Sequence, residues 1–109
     1  ERFREILAEE KNDIVRDSAI QRFEFTSELA WKLMKAYLEE KGGKDLYFPK
    51  DIIRSAFQAG IIKNDPKWLD MVDTRNQTSH IYNESMAEKV YQRLPDYLPL
   101  FNDLLNAIN

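Results

Sequence analysis

One long amphipathic pattern constrains the fold of this chain more than any other feature. From Ile14 to Lys41, apolar and small side chains recur at steps of three and four residues, a spacing typical of an α-helix with one apolar face. The main seam consists of Ile20, Phe23, Ser27, Ala30, Met34 and Tyr37. A second row widens it and consists of Phe25, Leu29, Leu33 and Ala36. The pattern predicts a central helix of about 28 residues, roughly 42 Å long.

Glycine and proline residues divide the following part of the chain. A helix C-terminus is commonly followed by glycine in the left-handed conformation, so Gly42 and Gly43 are predicted to end the long helix. Pro49 suits the first turn of the next helix, because the N–H that proline lacks would be unpaired there. Gly60 ends that helix. Its predicted buried face consists of Ile52, Ile53, Ala56 and Phe57.

Three further helices follow from the same signals. A short leading helix is predicted from Arg2 to Lys11. Residues 64–66, Asn-Asp-Pro, mark the start of a helix that runs through Arg75 toward Ser79. Asn83 can cap a final helix. The apolar stripe of that helix consists of Met86, Ala87, Val90, Leu94, Tyr97, Leu98, Phe101, Leu104, Leu105 and Ile108.

The fold class that these elements indicate is all-α. No segment shows the sustained alternation, bounded by turns, that a strand requires. Short connections favour antiparallel neighbours, so we expect residues 1–109 to form a single domain, an up-and-down bundle of four main helices with a short N-terminal helix. Pro95 and Pro99 interrupt the stripe of the final helix, and we expect a kink near Pro95 and not a domain boundary.

Composition excludes several classes of function. With no cysteine and one histidine, the chain lacks a thiol nucleophile and the usual zinc ligands, so we expect no metal site and no cofactor. Nothing resembles a signal peptide or a membrane span of about 20 apolar residues, which predicts a cytoplasmic protein without a membrane partner. The net charge is −3, from 16 basic and 19 acidic residues. Any contact with nucleic acid must therefore be local.

A polar segment, residues 73–82, contains the candidate functional residues. It holds the only histidine, His80, with Arg75 five positions before it. Histidine takes and gives protons near neutral pH, and arginine carries a permanent charge whose shape matches phosphate. Together these side chains suit phosphate chemistry.

Spacing alone does not bring these two side chains together. On an ideal helix Arg75 and His80 lie roughly 140° apart, whereas Asn76 and His80 share a face. The side chains of Arg75 and His80 could still meet in three ways: through the reach of the arginine, through a helix that ends before His80, or through a second copy of the motif across a two-fold axis. Alternatively, His80 caps a helix C-terminus and Tyr82 is an aromatic residue at the rim.

Two blocks of this sequence resemble a known superfamily. The arrangement Arg-x4-His-x-Tyr of Arg75, His80 and Tyr82, with Asn76 directly after the arginine, resembles the signature of HEPN domains (higher eukaryotes and prokaryotes nucleotide-binding). Residues 17–32 resemble the long-helix motif of the branch called nucleotidyltransferase substrate-binding proteins, which are partners of minimal nucleotidyltransferases. The resemblance implies a bundle that forms a homodimer through the long helices, with two motifs facing each other in a composite cleft.

The resemblance also implies a reaction and its control. Active members of the superfamily are metal-independent ribonucleases. Carried onto this chain, His80 would be the general base or acid, Arg75 would stabilise charge on the phosphorus, and Asn76 would orient the phosphate or the imidazole. In related toxin–antitoxin pairs the nucleotidyltransferase silences the ribonuclease by transferring AMP to the motif tyrosine, which here matches Tyr82.

Two carboxylates on the long helix are a further candidate feature. Glu24 and Glu28 lie one helical turn apart and form a polar strip, most simply a solvated face. If two long helices face each other in a dimer, Glu28 instead meets a basic group such as Arg22 or Lys32, or lines the cleft.

Three classes of function remain open at this point. The first is a ribonuclease of the toxin type. The second is a non-catalytic subunit that binds nucleotide or substrate for a partner nucleotidyltransferase. The third, a plain oligomerisation bundle, is disfavoured by the intact motif, and the motif residues alone do not separate the first two.

Overall fold

The chain forms five α-helices, seen in a computed structural model that describes residues 2–8 and 12–108. They are α1 (Arg2–Ala8), α2 (Asp13–Glu40), α3 (Pro49–Gln58), α4 (Lys67–Gln77) and α5 (Glu84–Ile108). A 3-10 turn, Thr78–His80, follows α4 directly. No strand occurs in the described ranges, so the all-α prediction is confirmed. The predicted end of the first helix, at Lys11, lies outside the described residues.

Local hydrogen bonds explain where α2 begins and where α2 and α3 end. The side chain of Asn12 accepts the N–H of Val15 at 2.9 Å and so starts α2. Gly42 after α2 has a φ of 89° and Gly60 after α3 has a φ of 79°. Around each glycine, two successive N–H groups donate back to carbonyls of the last helical turn, as in the Schellman motif. Both helices therefore end where the sequence predicted.

The long helix α2 is the central element, because α1, α3, α4 and α5 all pack against it. The predicted seam is confirmed, since five of its members are buried and Tyr37 is half-buried. The second row, in contrast, is exposed: Phe25, Leu29, Leu33 and Ala36. The packed helices cover only one side of α2, so the buried stripe within one chain is narrower than the sequence predicted.

Two apolar side chains on other helices also depart from the prediction. Phe57 is 43% exposed, where the pattern predicted burial. It lies in the last turn of α3 and lines a small open cavity together with Trp68 and Leu69. Leu105 of α5 is 44% exposed and lies beside the uncovered row of α2.

The final helix is continuous through both of its prolines. Pro95 and Pro99 are exposed and one helical turn apart, so they lie on the same solvent-facing side of α5. Each proline frees a carbonyl four residues earlier, and on that side water can satisfy the freed group. None of the described helices combines the length and the apolar composition that crossing a bilayer requires.

A buried polar contact joins α4 to α5. The Tyr97 hydroxyl, almost fully buried, donates to the carboxylate of Asp70. Its oxygen lies 2.7 Å from the Thr74 hydroxyl, which must then be the donor in that pair. The Tyr97 ring also stacks on Phe23 of α2, with centroids 5.5 Å apart. One side chain therefore connects three helices next to the polar segment that the sequence singled out.

This contact predicts a specific loss of stability at high pH. Burial and the hydrogen bond to Asp70 raise the pKa of Tyr97 from 10.0 to about 12. Because the folded pKa is the higher one, the contribution of Tyr97 is complete below pH 10 and is lost as the pH rises through about 12. We expect the free energy of unfolding, measured with urea, to fall less steeply for Tyr97→Phe than for the wild type across this interval.

The matched control is Tyr47→Phe, because Tyr47 is 75% exposed. This variant should follow the wild-type pH dependence. Near neutral pH, Tyr97→Phe should lose about 1–3 kcal/mol, the usual cost of leaving buried polar groups without a partner. Identical alkaline profiles for Tyr97→Phe and the wild type would contradict the assignment.

Candidate functional site

The polar segment begins on a helix and ends in extended chain. α4 ends at Gln77, the 3-10 turn carries the backbone to His80, and Ile81 is extended. The Thr78 hydroxyl donates to the carbonyl of Arg75 at 2.7 Å and so satisfies one of the free acceptors at this helix end. The helix therefore ends before His80, which was one of the three routes to convergence considered from the sequence.

Arg75 points toward α2 and pairs with its carboxylates. Its Nη2 atom donates to Oε1 of Glu28 at 2.7 Å and lies 3.9 Å from Oε2 of Glu24. Its Nη1 atom donates to the Thr78 hydroxyl at 3.1 Å. Within one chain the partner of Glu28 is thus Arg75, which is 47 residues away and which no local spacing could indicate.

The paired groups line an open cavity of about 390 Å³ on the surface of α2, here named the Arg75 cavity. Its remaining lining residues are Gln21, Phe25, Leu29 and Lys32. Two of these, Phe25 and Leu29, belong to the exposed apolar row. Arg75 therefore lies beside the uncovered face of the long helix.

His80 lies in a different place. Its ring is exposed, and Nδ1 is 3.4 Å from the hydroxyl of Tyr82, which is itself 80% exposed. His80 and Asn76 line a second open cavity, of about 380 Å³, between the end of α4 and the start of α5. This space is named the His80 cavity. Asn76 and His80 thus line one cavity, although α4, which was expected to give them a shared face, ends before His80.

The motif is therefore divided in a single protomer. Asn76 and His80 open toward α5, while Arg75 opens toward α2. Across residues 2–8 and 12–108, no hydrogen bond or ion pair joins Arg75 to His80. The ending of α4 before His80 does not by itself bring the two side chains together.

Two basic residues of the His80 cavity were not singled out from the sequence. Lys89 and Arg93 lie one helical turn apart on α5 and line the cavity together with Ile81, Met86 and Val90. The available signal was their spacing of four residues, which places two cations on one helix face. The two residues border Met86 and Val90 of the predicted apolar stripe, so they follow a pattern that indicates core packing and not a site. The described residues contain no group of three or more side chains placed to hold a metal ion.

The Arg75 to Glu28 pair is partly exposed to solvent, which predicts a small role in stability. The side chains are 21% and 47% exposed, so water screens their attraction. We expect Glu28→Gln to lower the free energy of unfolding by less than about 1 kcal/mol. Glu39→Gln, on the exposed side of the same helix, is the matched control in chemical unfolding. A loss of several kcal/mol in Glu28→Gln alone would show instead that Arg75 is a structural group.

Comparison with known proteins identifies the family. Residues 1–109 match the family described as nucleotidyltransferase substrate binding protein like. A protein named probable ribonuclease HepT, from Haemophilus influenzae (strain ATCC 51907 / DSM 11121 / KW20 / Rd), is 42% identical over 84 residues. The aligned region covers 73% of this chain and 58% of that relative, so this chain spans somewhat over half of the relative's length.

Two solved structures resemble this chain over most or nearly all of its length. A Thermus thermophilus protein superposes with a TM-score of 0.88 at 39% identity, covering 99% of this chain and 94% of that one. A Haemophilus influenzae protein, described as showing the fold of a substrate binding domain of a nucleotidyltransferase, gives a TM-score of 0.78 at 37% identity, covering 87% and 73%. The chain therefore belongs to the nucleotidyltransferase substrate-binding protein family, as the two sequence blocks predicted.

Proposed function

We propose that this chain is the HEPN component of a two-gene toxin–antitoxin module, in which its partner is a minimal nucleotidyltransferase. In this proposal it is a metal-independent endoribonuclease that acts in the cytoplasm as a homodimer. The observation that carries the proposal is the exposure of His80 beside Tyr82. The carbonyl of Arg75 at the end of α4 is satisfied by Thr78, so His80 is not needed as a cap there. The similarity to a protein named probable ribonuclease HepT supports the same function.

The proposed reaction uses the 2′-hydroxyl of the RNA. His80 removes the proton from this hydroxyl, whose oxygen attacks the adjacent phosphorus, or it returns a proton to the departing 5′-oxygen. Nδ1 faces the Tyr82 hydroxyl, so Nε2 is the nitrogen that exchanges this proton. Arg75 stabilises the negative charge that develops on the phosphoryl oxygens. The products are a 2′,3′-cyclic phosphate and a free 5′-hydroxyl.

A dimer would bring together Arg75 and His80, which lie apart in a single protomer. The uncovered row of α2 adjoins a shallow apolar cavity that also contains Leu105 and Phe101 of α5. A second copy of the chain bound to this face would bury the exposed row. The Arg75 cavity contains Phe25 and Leu29 of that row, so dimerisation there places Arg75 at the interface. In the proposed site, Arg75 of one protomer acts with His80 of the other.

Arg75 must change partners for the reaction. In the free protomer its Nη2 atom donates to the carboxylate of Glu28, which occupies the position that a phosphate oxygen would take. Because this pair is partly exposed, exchange of the carboxylate for a phosphate costs little. Glu28 thus orients the guanidinium group before RNA binds and is displaced when it does.

AMP transfer to Tyr82 provides a direct means of silencing. The Tyr82 hydroxyl lies 3.4 Å from Nδ1 of His80, so a phosphate attached to it would lie against the imidazole. The added anion would lie beside the imidazole and occupy the space that the RNA phosphate needs. Inhibition therefore follows from the position of the hydroxyl.

Cleavage of cellular RNA by the purified protein in excess chelator tests the proposal. We expect cleavage with 2′,3′-cyclic phosphate ends, and a loss of about a hundredfold or more for His80→Ala and for Arg75→Ala. Arg54→Ala is the control for the loss of an arginine, because Arg54 is exposed on α3. Circular dichroism must show unchanged helix content in all three variants.

The absence of cleavage by a folded protein whose Tyr82 is unmodified by mass would overturn the ribonuclease proposal. The second candidate would then apply, a non-catalytic subunit that binds nucleotide or substrate for the nucleotidyltransferase. The described role of the Haemophilus influenzae structure as a substrate binding domain favours that alternative.

The silencing step has its own test. After incubation with the partner nucleotidyltransferase and ATP, the wild-type protein should gain the mass of an adenylyl group and lose its ribonuclease activity. Tyr82→Phe should gain no mass and remain active, whereas Tyr47→Phe, which removes another exposed hydroxyl, should behave as the wild type. Modification of Tyr82→Phe to the wild-type extent would show that the acceptor is a different residue.

A further inference from the structure

The His80 cavity carries an unusual concentration of positive charge for this chain. Each ionisable side chain that lines it is basic, namely His80, Lys89 and Arg93. The chain as a whole has a net charge of −3, and in the Arg75 cavity the two carboxylates Glu24 and Glu28 are balanced by two bases, Arg75 and Lys32. Charges of one sign around a concave surface attract an anion of the opposite sign. Of the two cavities, the His80 cavity therefore has the charges that favour a phosphate group.

The wall of this cavity is apolar. Ile81 and Met86 are half-buried and Val90 is buried, so an apolar surface lies beside the basic rim. The volume of about 380 Å³ falls within the range of small-molecule sites, which are mostly apolar with a few placed polar groups. A flat aromatic ring packs well on such a surface, and the flexible methionine side chain can adapt to it.

Amide groups lie at the edge where α4 ends. Asn76 and Gln77 line the cavity, and each side chain offers both a donor and an acceptor. The Oε1 atom of Gln77 is 3.4 Å from Nη1 of Arg93, which brings this arginine to the rim. Hydrogen bonds to the edges of unpaired bases are the usual means by which proteins recognise single-stranded RNA.

We propose that the His80 cavity binds one nucleotide of the RNA, the one that adjoins the bond to be cut. Lys89 and Arg93 bind its phosphate, and the base packs on Met86 and meets the amides of α4. Naming the ligand as a nucleotide of the substrate rests on the proposed ribonuclease function. The binding site itself is defined by the cavity and its charges.

The placement explains how a scissile bond would reach the imidazole. A nucleotide in this cavity has His80 as part of its wall, so its linkage to the next nucleotide leaves the cavity beside the ring. Lys89 and Arg93 are then specificity and binding residues, distinct from the residues that exchange protons. Substitution of these two residues should therefore weaken nucleotide binding even when the nucleotide has no bond to be cleaved.

The test uses AMP, which has no bond to be cut, and inorganic phosphate as the control ligand, both measured by isothermal titration calorimetry. We expect the wild type to bind AMP at least about tenfold more tightly than phosphate, and Lys89→Gln/Arg93→Gln to lose about tenfold in AMP affinity. The matched variant Lys44→Gln/Arg54→Gln removes the same charge from exposed positions elsewhere and should bind AMP as the wild type does.

The methionine methyl groups provide a readout on the unmodified protein. The chain has three methionines, and Met34 and Met71 are fully buried in the core, whereas Met86 lines the cavity. In a methyl NMR titration, AMP should shift the Met86 signal and leave the other two unchanged. This measurement stands even if the charge variants fail to fold.

Three results would overturn the proposal: an unchanged Met86 signal at saturating AMP, equal affinity for AMP and phosphate, or equal losses in the two double variants. Each of these is separate from the result on RNA cleavage. AMP binding in the cavity without any cleavage would leave this site in place and reject only the ribonuclease function.

Discussion

The buried contact among Tyr97, Thr74 and Asp70 sets the rotation of α4, and the arrangement of the site depends on that rotation. A hydroxyl left unpaired in the core costs about 1–3 kcal/mol, so Thr74 is held facing α5. Successive residues on a helix turn by about 100°. With Thr74 held against α5, the next residue, Arg75, lies about 100° further around the helix and pairs with Glu28 of α2. Asn76 lines the cavity beside the start of α5. The contact that stabilises the core thus also divides the motif between two cavities.

This division separates two electrostatic environments. Arg75 is neutralised by a carboxylate of α2, while His80 lies among bases supplied by α5. In the proposed reaction, a phosphodiester is attracted to the bases around His80, and Arg75 must reach the same phosphate. A homodimer through the uncovered row of α2, as proposed, joins the two environments without disturbing the fold of either protomer.

Local signals in the sequence predicted the helices well, because capping and helix termination involve only neighbouring residues. Gly42, Pro49 and Gly60 mark helix ends by their own backbone angles and hydrogen bonding, so their effects can be read without tertiary structure. Burial was less predictable. The exposure of Phe57 and of Leu29 depends on which helices cover them, which periodicity does not specify.

The candidate site was predictable in part for the same reason. Residue types and a familiar spacing singled out Arg75 and His80, but the pairing of Arg75 with Glu28 spans 47 residues and arises only from packing. The basic wall formed by Lys89 and Arg93 became visible once α5 lay beside the end of α4. Sequence therefore indicated the chemistry of the segment, and the fold determined which groups surround it.

Subunit mixing tests the proposed composite site most directly. Arg75→Ala and His80→Ala dimers, each inactive, would be unfolded together and refolded, so that mixed dimers carry one intact pair of Arg75 and His80. The mixture should recover up to about a quarter of the wild-type ribonuclease activity, because half of the dimers are mixed and each has one site. With Leu29→Glu added to both chains, the recovery should disappear. A mixture as inactive as its two components, beside an active wild type, would contradict a site shared between protomers.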